Sequence, residues 1–353
     1  MRRAGRDGEP GRSQKATDRR PALFIALRDI RFAKGRFALM ASVVALITLL
    51  VVLLSGLTLG LASENISGIE NLRGDRIAFG DEKISFSSST VTAEQWKGLG
   101  GEPLGVTQTQ LTHDGTGQAV AVFGSEALAP ARPADGELVV SPDLGLAAGD
   151  TVTIGERSYR VAALGPDDSY GHTPVVWSTL ADWRRIAHAE PDTATVVVLS
   201  GETPARTFGT HPVTKEASLA GIGSYTSENG SLTLMRGFLF AISALVVGAF
   251  FTVWTIQRQG DIAIMKALGA SSGYLTRDAL AQALIVLTAG GVAGGAAGFG
   301  VGALAERVMP FVVSVSTTLV PVLAMILLGM AGAVLAVRRI TSVDPLIALG
   351  SAR

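Results

Sequence analysis

The sequence predicts a membrane α-helical protein with four transmembrane helices and an α+β domain inserted between the first and the second. Three observations predict it: four apolar runs long enough to cross a bilayer, a long polar stretch at 63–231, and a segregation of charge between the segments that join them.

A bilayer's hydrocarbon core is about 30 Å thick and a helix rises about 1.5 Å per residue, so a span needs roughly 20 mostly apolar residues. Residues 37–62 qualify without a single charge, 232–256 with Arg236 near the start, and 279–305 and 319–337 complete the set. The apolar stretch 311–315 is too short to span. The first run exceeds the roughly 7–15 residues of a signal-peptide core, so it reads as a retained helix.

Lysine and arginine set the orientation. Segments 1–36, 257–278 and 338–353 together hold seventeen basic and seven acidic residues, whereas 63–231 holds eleven basic and 22 acidic. The positive-inside rule then places both termini and the 257–278 loop in the cytoplasm, in a plasma membrane, with the acidic 63–231 domain outside. Residues 306–318 become a short external loop.

Along the chain, residues 1–20 mix Gly, Arg, Asp and Ser without apolar periodicity and read as a disordered cytoplasmic tail. In 21–36, Leu23, Ala26, Leu27, Ile30 and Ala33 recur at helical spacing between basic residues. That pattern describes either an interfacial amphipathic helix or a cytoplasmic extension of the first span. In the polar domain, strands are expected at 76–79, 83–86, 117–123, 138–140, 151–154 and 159–161, with a hairpin tip at 113–117. Helices are expected at 92–99 and 179–187. Residues 62–72 read as a stalk continuing the first span, and 224–232 as its return. The third span carries Gly290, Gly294, Gly298 and Gly302 at four-residue spacing, a face that lets helix backbones approach closely in lipid, either within one subunit or between two.

The chain has no cysteine, so disulfides and thiolate metal sites are excluded. It contains no phosphate-binding loop, H-E-x-x-H motif or nucleophile elbow, so it is not expected to be an enzyme. No metal site, resident cofactor or nucleic-acid partner is expected either. His113, His172, His188 and His211 lack ligand spacing and read as surface or loop residues. A gradient-driven carrier usually places ionisable residues inside its spans, and three of these four have none.

Two segments point to a partner instead. In the 257–278 loop, Ile262, Met265 and Leu268 recur at helical spacing in Asp261-Ile262-Ala263-Ile264-Met265-Lys266-Ala267-Leu268-Gly269-Ala270, where Gly269 reads as a helix stop. The tail carries Asp344-Pro345-Leu346-Ile347-Ala348-Leu349. Here the sequence resembles ABC-type permeases of the MacB and FtsX type. Their cytoplasmic helix ends in a K-A-L-G-A-like signature and docks on a separate ATPase, and their chains end in a D-P-x-x-A-L element. The polar domain adds Gly136–Pro142, Gly145–Ile154 with its Gly149-Asp150-Thr151-Val152 turn, and Tyr159–Val161, which is similar to the MacB-like core domain. Asp168–Trp177 is similar to the DevC-like and HrtB-like subgroup.

The resemblance covers nearly the whole chain after residue 22. It implies a homodimer with two copies of an ABC ATPase that binds the ATP and Mg. It assigns coupling to Asp261, Ile262, Met265, Lys266, Leu268 and Gly269. One departure is that Gln257, Gln259 and Gly260 surround Arg258 where relatives commonly carry Glu and Arg, so ion pairs with the ATPase are not carried over. The implied function is efflux of a hydrophobic or amphiphilic substrate, with haem implied by the HrtB-like subgroup. A haem site needs an axial ligand. The candidates near the outer ends of spans one and two are Glu64, Glu70 and Met235, with Arg236 to meet a propionate; otherwise the glutamates are solvated stalk residues and Arg236 snorkels. The alternative is FtsX-like mechanical control of an extracytoplasmic cell-wall hydrolase.

Overall fold

The computed structural model describes residues 34–202, 204–257 and 259–341. The expected tail 1–20, most of the amphipathic segment 21–36, Arg258 and the tail element Asp344–Leu349 lie outside them. So do the side chains of Asp261 and Ile262. The chain divides into two compact units: a membrane unit, made of residues up to Ser55, Arg236–Leu304 and those from Val313, and an α+β unit, made of Gly56–Met235 and Ala305–Val312.

Among the described residues, four helices are long and apolar enough to cross a membrane: α1 (Lys34–Glu70), α5 (Tyr225–Gln257), α7 (Ser272–Ala305) and α8 (Val315–Thr341). Helices are the open-chain solution in lipid because every backbone N–H and C=O is bonded within the segment. All four run beyond the bilayer-length stretches expected from hydropathy. α7 begins seven residues before Ala279 and so takes Asp278 into the helix, where it is buried and accepts from the Gln282 side-chain amide at 2.9 Å.

Within the membrane unit, α7 presents two rows of glycine. A Cβ at Gly290 would lie 2.7 Å from the Ala41 carbonyl oxygen, one at Gly298 would lie 2.7 Å from Val52 Cγ1, and one at Gly294 would overlap the Ala45 carbonyl. The adjoining row faces α8, where a Cβ at Gly295 would lie 2.6 Å from Val322 Cγ2. Gly302 is also buried. Absent side chains on α7 thus bring its backbone against α1, where dispersion between backbones replaces the hydrophobic effect that lipid does not supply. α8 crosses α5 the same way, with Gly332 against Gly248. Phe37 and Phe251 close one end of the packing edge-on to Trp254.

The α+β unit is built on one ten-stranded sheet. Its strands are β1 (Arg76–Phe79), β3 (Glu102–His113), β4 (Thr116–Gly124), β5 (Glu137–Val140), β6 (Thr151–Ile154), β7 (Arg157–Leu164), β8 (Ser169–Tyr170), β9 (Thr173–Ser178), β11 (Val196–Leu199) and β12 (His211–Thr214). A small pair, β2 (Val91–Thr92) and β10 (Thr193–Ala194), lies apart. The order β12-β1-β11-β3 is open, but β3-β4-β9-β5-β7-β6 returns to β3 and closes a six-stranded barrel. The length of β3 makes this work: Glu102–Leu104 pair with β11, while Leu111 and Thr112 pair with β6. Leu111, Val120, Val122, Leu138, Val140, Val152, Ile154 and Val161 pack together in one buried core.

Short helices cap the sheet. α2 (Ala93–Leu99) starts where the Gln95 side chain accepts from the Thr92 N–H, and α3 (Leu180–Ala187) where Thr179 Oγ1 accepts from the Asp182 N–H at 3.0 Å. α4 (Lys215–Ser218) is a single turn. The expected strand 83–86 is not one. Ile84 and Phe86 do supply apolar side chains to the core, but the Phe86 N–H bonds the Gly221 carbonyl instead of a neighbouring strand. Alternating apolar residues there satisfy burial, not pairing. The sheet's other apolar face is covered by Ile66 and Ile69 on the last turns of α1 and by Leu72 just past its end.

Gly294→Val should force α1 and α7 apart and destabilise the bundle by about 1–3 kcal/mol. Gly300→Ala, where nothing lies within 4 Å of the new Cβ, should leave it unchanged. Thermal melting of the two variants in detergent checks this.

Candidate functional site

The last turns of α1 are laced to the β8–β9 hairpin by a ladder of hydrogen bonds. The His172 N–H donates to the Glu64 carbonyl at 3.1 Å and the Gly171 N–H to the Asn65 carbonyl at 3.0 Å. One turn on, the Ser169 N–H donates to Ser67 Oγ at 2.8 Å, and Asn71 Nδ2 donates to Asp168 Oδ1 at 2.7 Å. Gly68 makes the approach close enough, since a Cβ there would lie 2.9 Å from Val175 Cγ2. The hairpin turns through Gly171 and His172, both left-handed at φ 57° and 61°. Two consecutive positive φ values are what a two-residue hairpin of type I′ requires. Glycine takes that conformation freely; histidine rarely does.

That turn sets the His172 imidazole between two carboxylates. Nε2 lies 2.8 Å from Glu228 Oε2 on the first turn of α5, and Nδ1 lies 4.0 Å from Glu64 Oε2 on α1. Asn65, almost wholly buried, donates to Glu228 Oε2 at 2.9 Å and to Ser224 Oγ at 3.0 Å. Among the described residues, no three His, Asp or Glu side chains are arranged to hold a metal ion.

Glu64 also lines a cleft of about 550 Å³. Its walls are α1 from Gly60 to Ser67, the acids Asp143 and Asp167, and the segment 306–312 that follows α7. Pro310 lies over Gly60 and Phe311 over Gly56, and the Val312 N–H closes the wall on the Gly56 carbonyl at 3.1 Å. Partial desolvation, then the charge and hydrogen bond of neighbouring Asp167, push the Asp143 carboxyl upward. The lining is therefore acidic, with Arg307 as its counter-charge and Val308, Met309 and Phe311 as its apolar part.

Of the sequence candidates, Glu64 lies in this cleft. Glu70 is exposed at the end of α1, on a different face of the helix from Glu64. Met235 is exposed on α5 two turns beyond Glu228 and on the same helical face, and Arg236 belongs to the membrane unit. Sequence reading missed His172, Glu228 and Arg307. The signal for His172 was the Tyr170-Gly171-His172-Thr173-Pro174 turn; pairing with Glu64 and Glu228 joins positions too far apart in sequence to read.

The remaining candidates lie on α6 (Gln259–Ala267), between α5 and α7, or just past its end at Leu268 and Gly269. Gly269 ends this helix in the left-handed region at φ 96°, with its N–H on the Lys266 carbonyl and the Ala270 N–H on the Met265 carbonyl. That is the glycine termination expected of a helix C-terminus. Leu268 and Ile264 are exposed, 83% and 62%, and Met265 and Lys266 are half-buried.

Residues 234–345 match the family described as FtsX-like permease C-terminal. With four helices long and apolar enough to span, this match supports a multi-pass membrane protein similar to ABC transporter permeases of the FtsX type. Over nearly its whole length it is similar to the putative hemin transport system permease protein HrtB of Staphylococcus haemolyticus, 26% identical over 347 residues, 92% of this chain and 99% of the relative. The protein of the same description from Staphylococcus epidermidis is 23% identical over 349 residues, again 92% and 99%. An uncharacterized ABC transporter permease of Mycobacterium tuberculosis is 22% identical over 348 residues, 93% and 99%.

Burial pushes the Asp168 carboxyl up; the Asn71 hydrogen bond opposes this and the Asp167 charge adds to it. The folded chain thus keeps a proton on Asp168 at a pH where the unfolded chain has lost it. This contribution to stability is complete below the ordinary carboxylate value of about 3.9 and is lost as pH rises through the raised folded value. Asp168→Asn removes that titration, so wild type should lose stability relative to the variant as pH rises from about 3.9. Denaturant midpoints followed by tryptophan fluorescence read it.

Proposed function

We propose that the chain is the permease half of an efflux pump, in which a separate ABC ATPase docks on α6 and ATP-driven motion of α6 passes through the spans to the α+β unit. The observation that carries this reading is α6 itself. A nine-residue helix between two candidate spans leaves Ile264 exposed, with exposed Leu268 just past its end, and such apolar side chains on a short helix suit a partner's groove. Both termini and α6 face the cytoplasm, and the α+β unit, a MacB-like domain, lies outside. The working assembly is a homodimer of this chain with two ATPase copies, which bind the ATP and Mg.

The substrate class is amphiphilic, and haem is the member that the HrtB relatives' names point to. Its ferric iron would take an anionic oxygen from Glu64, while Arg307, which lines the same cleft, would meet a propionate. The apolar side of the cleft, Val308 to Phe311, suits the porphyrin face.

Two measurements check the parts separately. Met265→Asp with Leu268→Asp should abolish co-purification of the chain with its ABC ATPase. Hemin titration of the purified permease should weaken by about tenfold or more, roughly 1.4 kcal/mol, in Glu64→Ala and Arg307→Ala, and stay unchanged in Glu70→Ala. Undiminished co-purification removes the docking role; equal hemin affinity in all variants removes the cleft as the substrate site.

A further inference from the structure

We infer that the β8–β9 hairpin is a strut joining the end of α1 to the start of α5, and that His172 is its positioning residue, holding Glu228 tightly and Glu64 loosely. This deepens the efflux reading, because Glu64 is the carboxylate assigned there to substrate.

The hairpin side is fixed first. Four hydrogen bonds, three on the last turns of α1 and one from Asn71 just past its end, seat the hairpin there, and two of them use backbone N–H groups at the turn itself. A non-glycine residue in the left-handed region persists only where surrounding contacts hold it. At His172 those contacts are the N–H bond to the Glu64 carbonyl and the Nε2 contact to Glu228. Gln108 on β3 braces the turn from behind, its Nε2 donating to the Tyr170 carbonyl at 3.3 Å and to Thr173 Oγ1 at 3.2 Å. The tip is therefore clamped, and the imidazole reaches α5 from a rigid mount.

The two arms of the imidazole differ. At 2.8 Å the Glu228 contact is a full hydrogen bond, and Asn65 holds the same Glu228 oxygen at 2.9 Å. At 4.0 Å the Glu64 contact is at the limit of an ion pair. Glu228 is thus the fixed partner and Glu64 the exchangeable one. Glu64 can turn into the cleft without breaking the hairpin's hold on α5, and when it does the imidazole loses one of its two carboxylates. The hold of His172 on the first turn of α5 is therefore independent of where Glu64 points.

The test is hydrogen exchange of the full chain in lipid nanodiscs, comparing wild type with His172→Ala, His172→Gln, Glu228→Gln and Glu64→Gln. The alanine variant and Glu228→Gln should speed exchange of the Gly171 and His172 amides and of the first turn of α5 at least tenfold. Glu64→Gln should change them less than threefold, and His172→Gln, which keeps a donor for Glu228, should stay near wild type. Peptides from β4 serve as the folding control and should not change. Wild-type exchange at the tip of His172→Ala overturns the strut, as does an equal effect of Glu64→Gln and Glu228→Gln. Cellular hemin efflux reads the strut's use: the alanine variant should lose at least fivefold and the glutamine variant should not, and full efflux in the alanine variant contradicts the positioning role. Absence of hemin efflux in wild type would overturn the substrate reading instead, with the strut still decided by exchange.

Discussion

The close approach of the α7 backbone to α1 is the contact on which the membrane unit depends. Lipid tails are as apolar as leucine, so apolar side chains gain little by leaving them; what remains is dispersion between surfaces that fit, and glycine lets whole backbones fit. Gly290, Gly294 and Gly298 turn one face of α7 toward α1, while Gly291 and Gly295 turn the adjoining face toward α8. Either row built from alanine or larger residues would push its partner away. α1 is also the helix whose final turns, from Gly56 to Glu70, belong to the α+β unit and carry the hairpin ladder. One helix therefore contributes both the tightest packing of the spans and the carboxylate at the cleft.

Much of the helical architecture was legible because its signals are local. Hydropathy picks out four runs, and the glycine period exposes a packing face without any knowledge of what it meets. Gly269 announced a helix end, and its φ of 96° is the conformation that makes glycine the residue of choice there. The short helices expected at 92–99 and 179–187 are present, and the structure shows Thr92 and Thr179 at their N-caps. Non-local pairing was not legible. Strand β3 escaped notice because Thr107 to His113 alternate threonine, glutamine and leucine with no turn signal between the part that pairs with β11 and the part that pairs with β6. Barrel closure follows from that one strand's length. Residues 83–86 erred the other way: a β-like alternation supplies the core without joining the sheet.

The site was half legible for the same reason. Glu64 follows from its place just past the first apolar run. His172 and Glu228 become meaningful only once the hairpin folds onto α1 and α5 starts beside it. Histidines judged by spacing in sequence look scattered; judged by φ, one of them stands in a clamped turn between two acids. Arg307 was hidden by arithmetic, since beside Glu306 it contributes nothing to net charge, yet it lines the cleft with Glu64.

The proposal that α6 receives motion from a separate ATPase rests on the exposed Ile264 and on Leu268 just past the helix end. The measurement that tests this most directly is hemin release from proteoliposomes holding the permease with its ATPase, started by ATP. The account predicts ATP-dependent release by the wild-type pair, and release at the ATP-free rate when Leu268 and Met265 are aspartate. Equal ATP-driven release by the aspartate variant would contradict it.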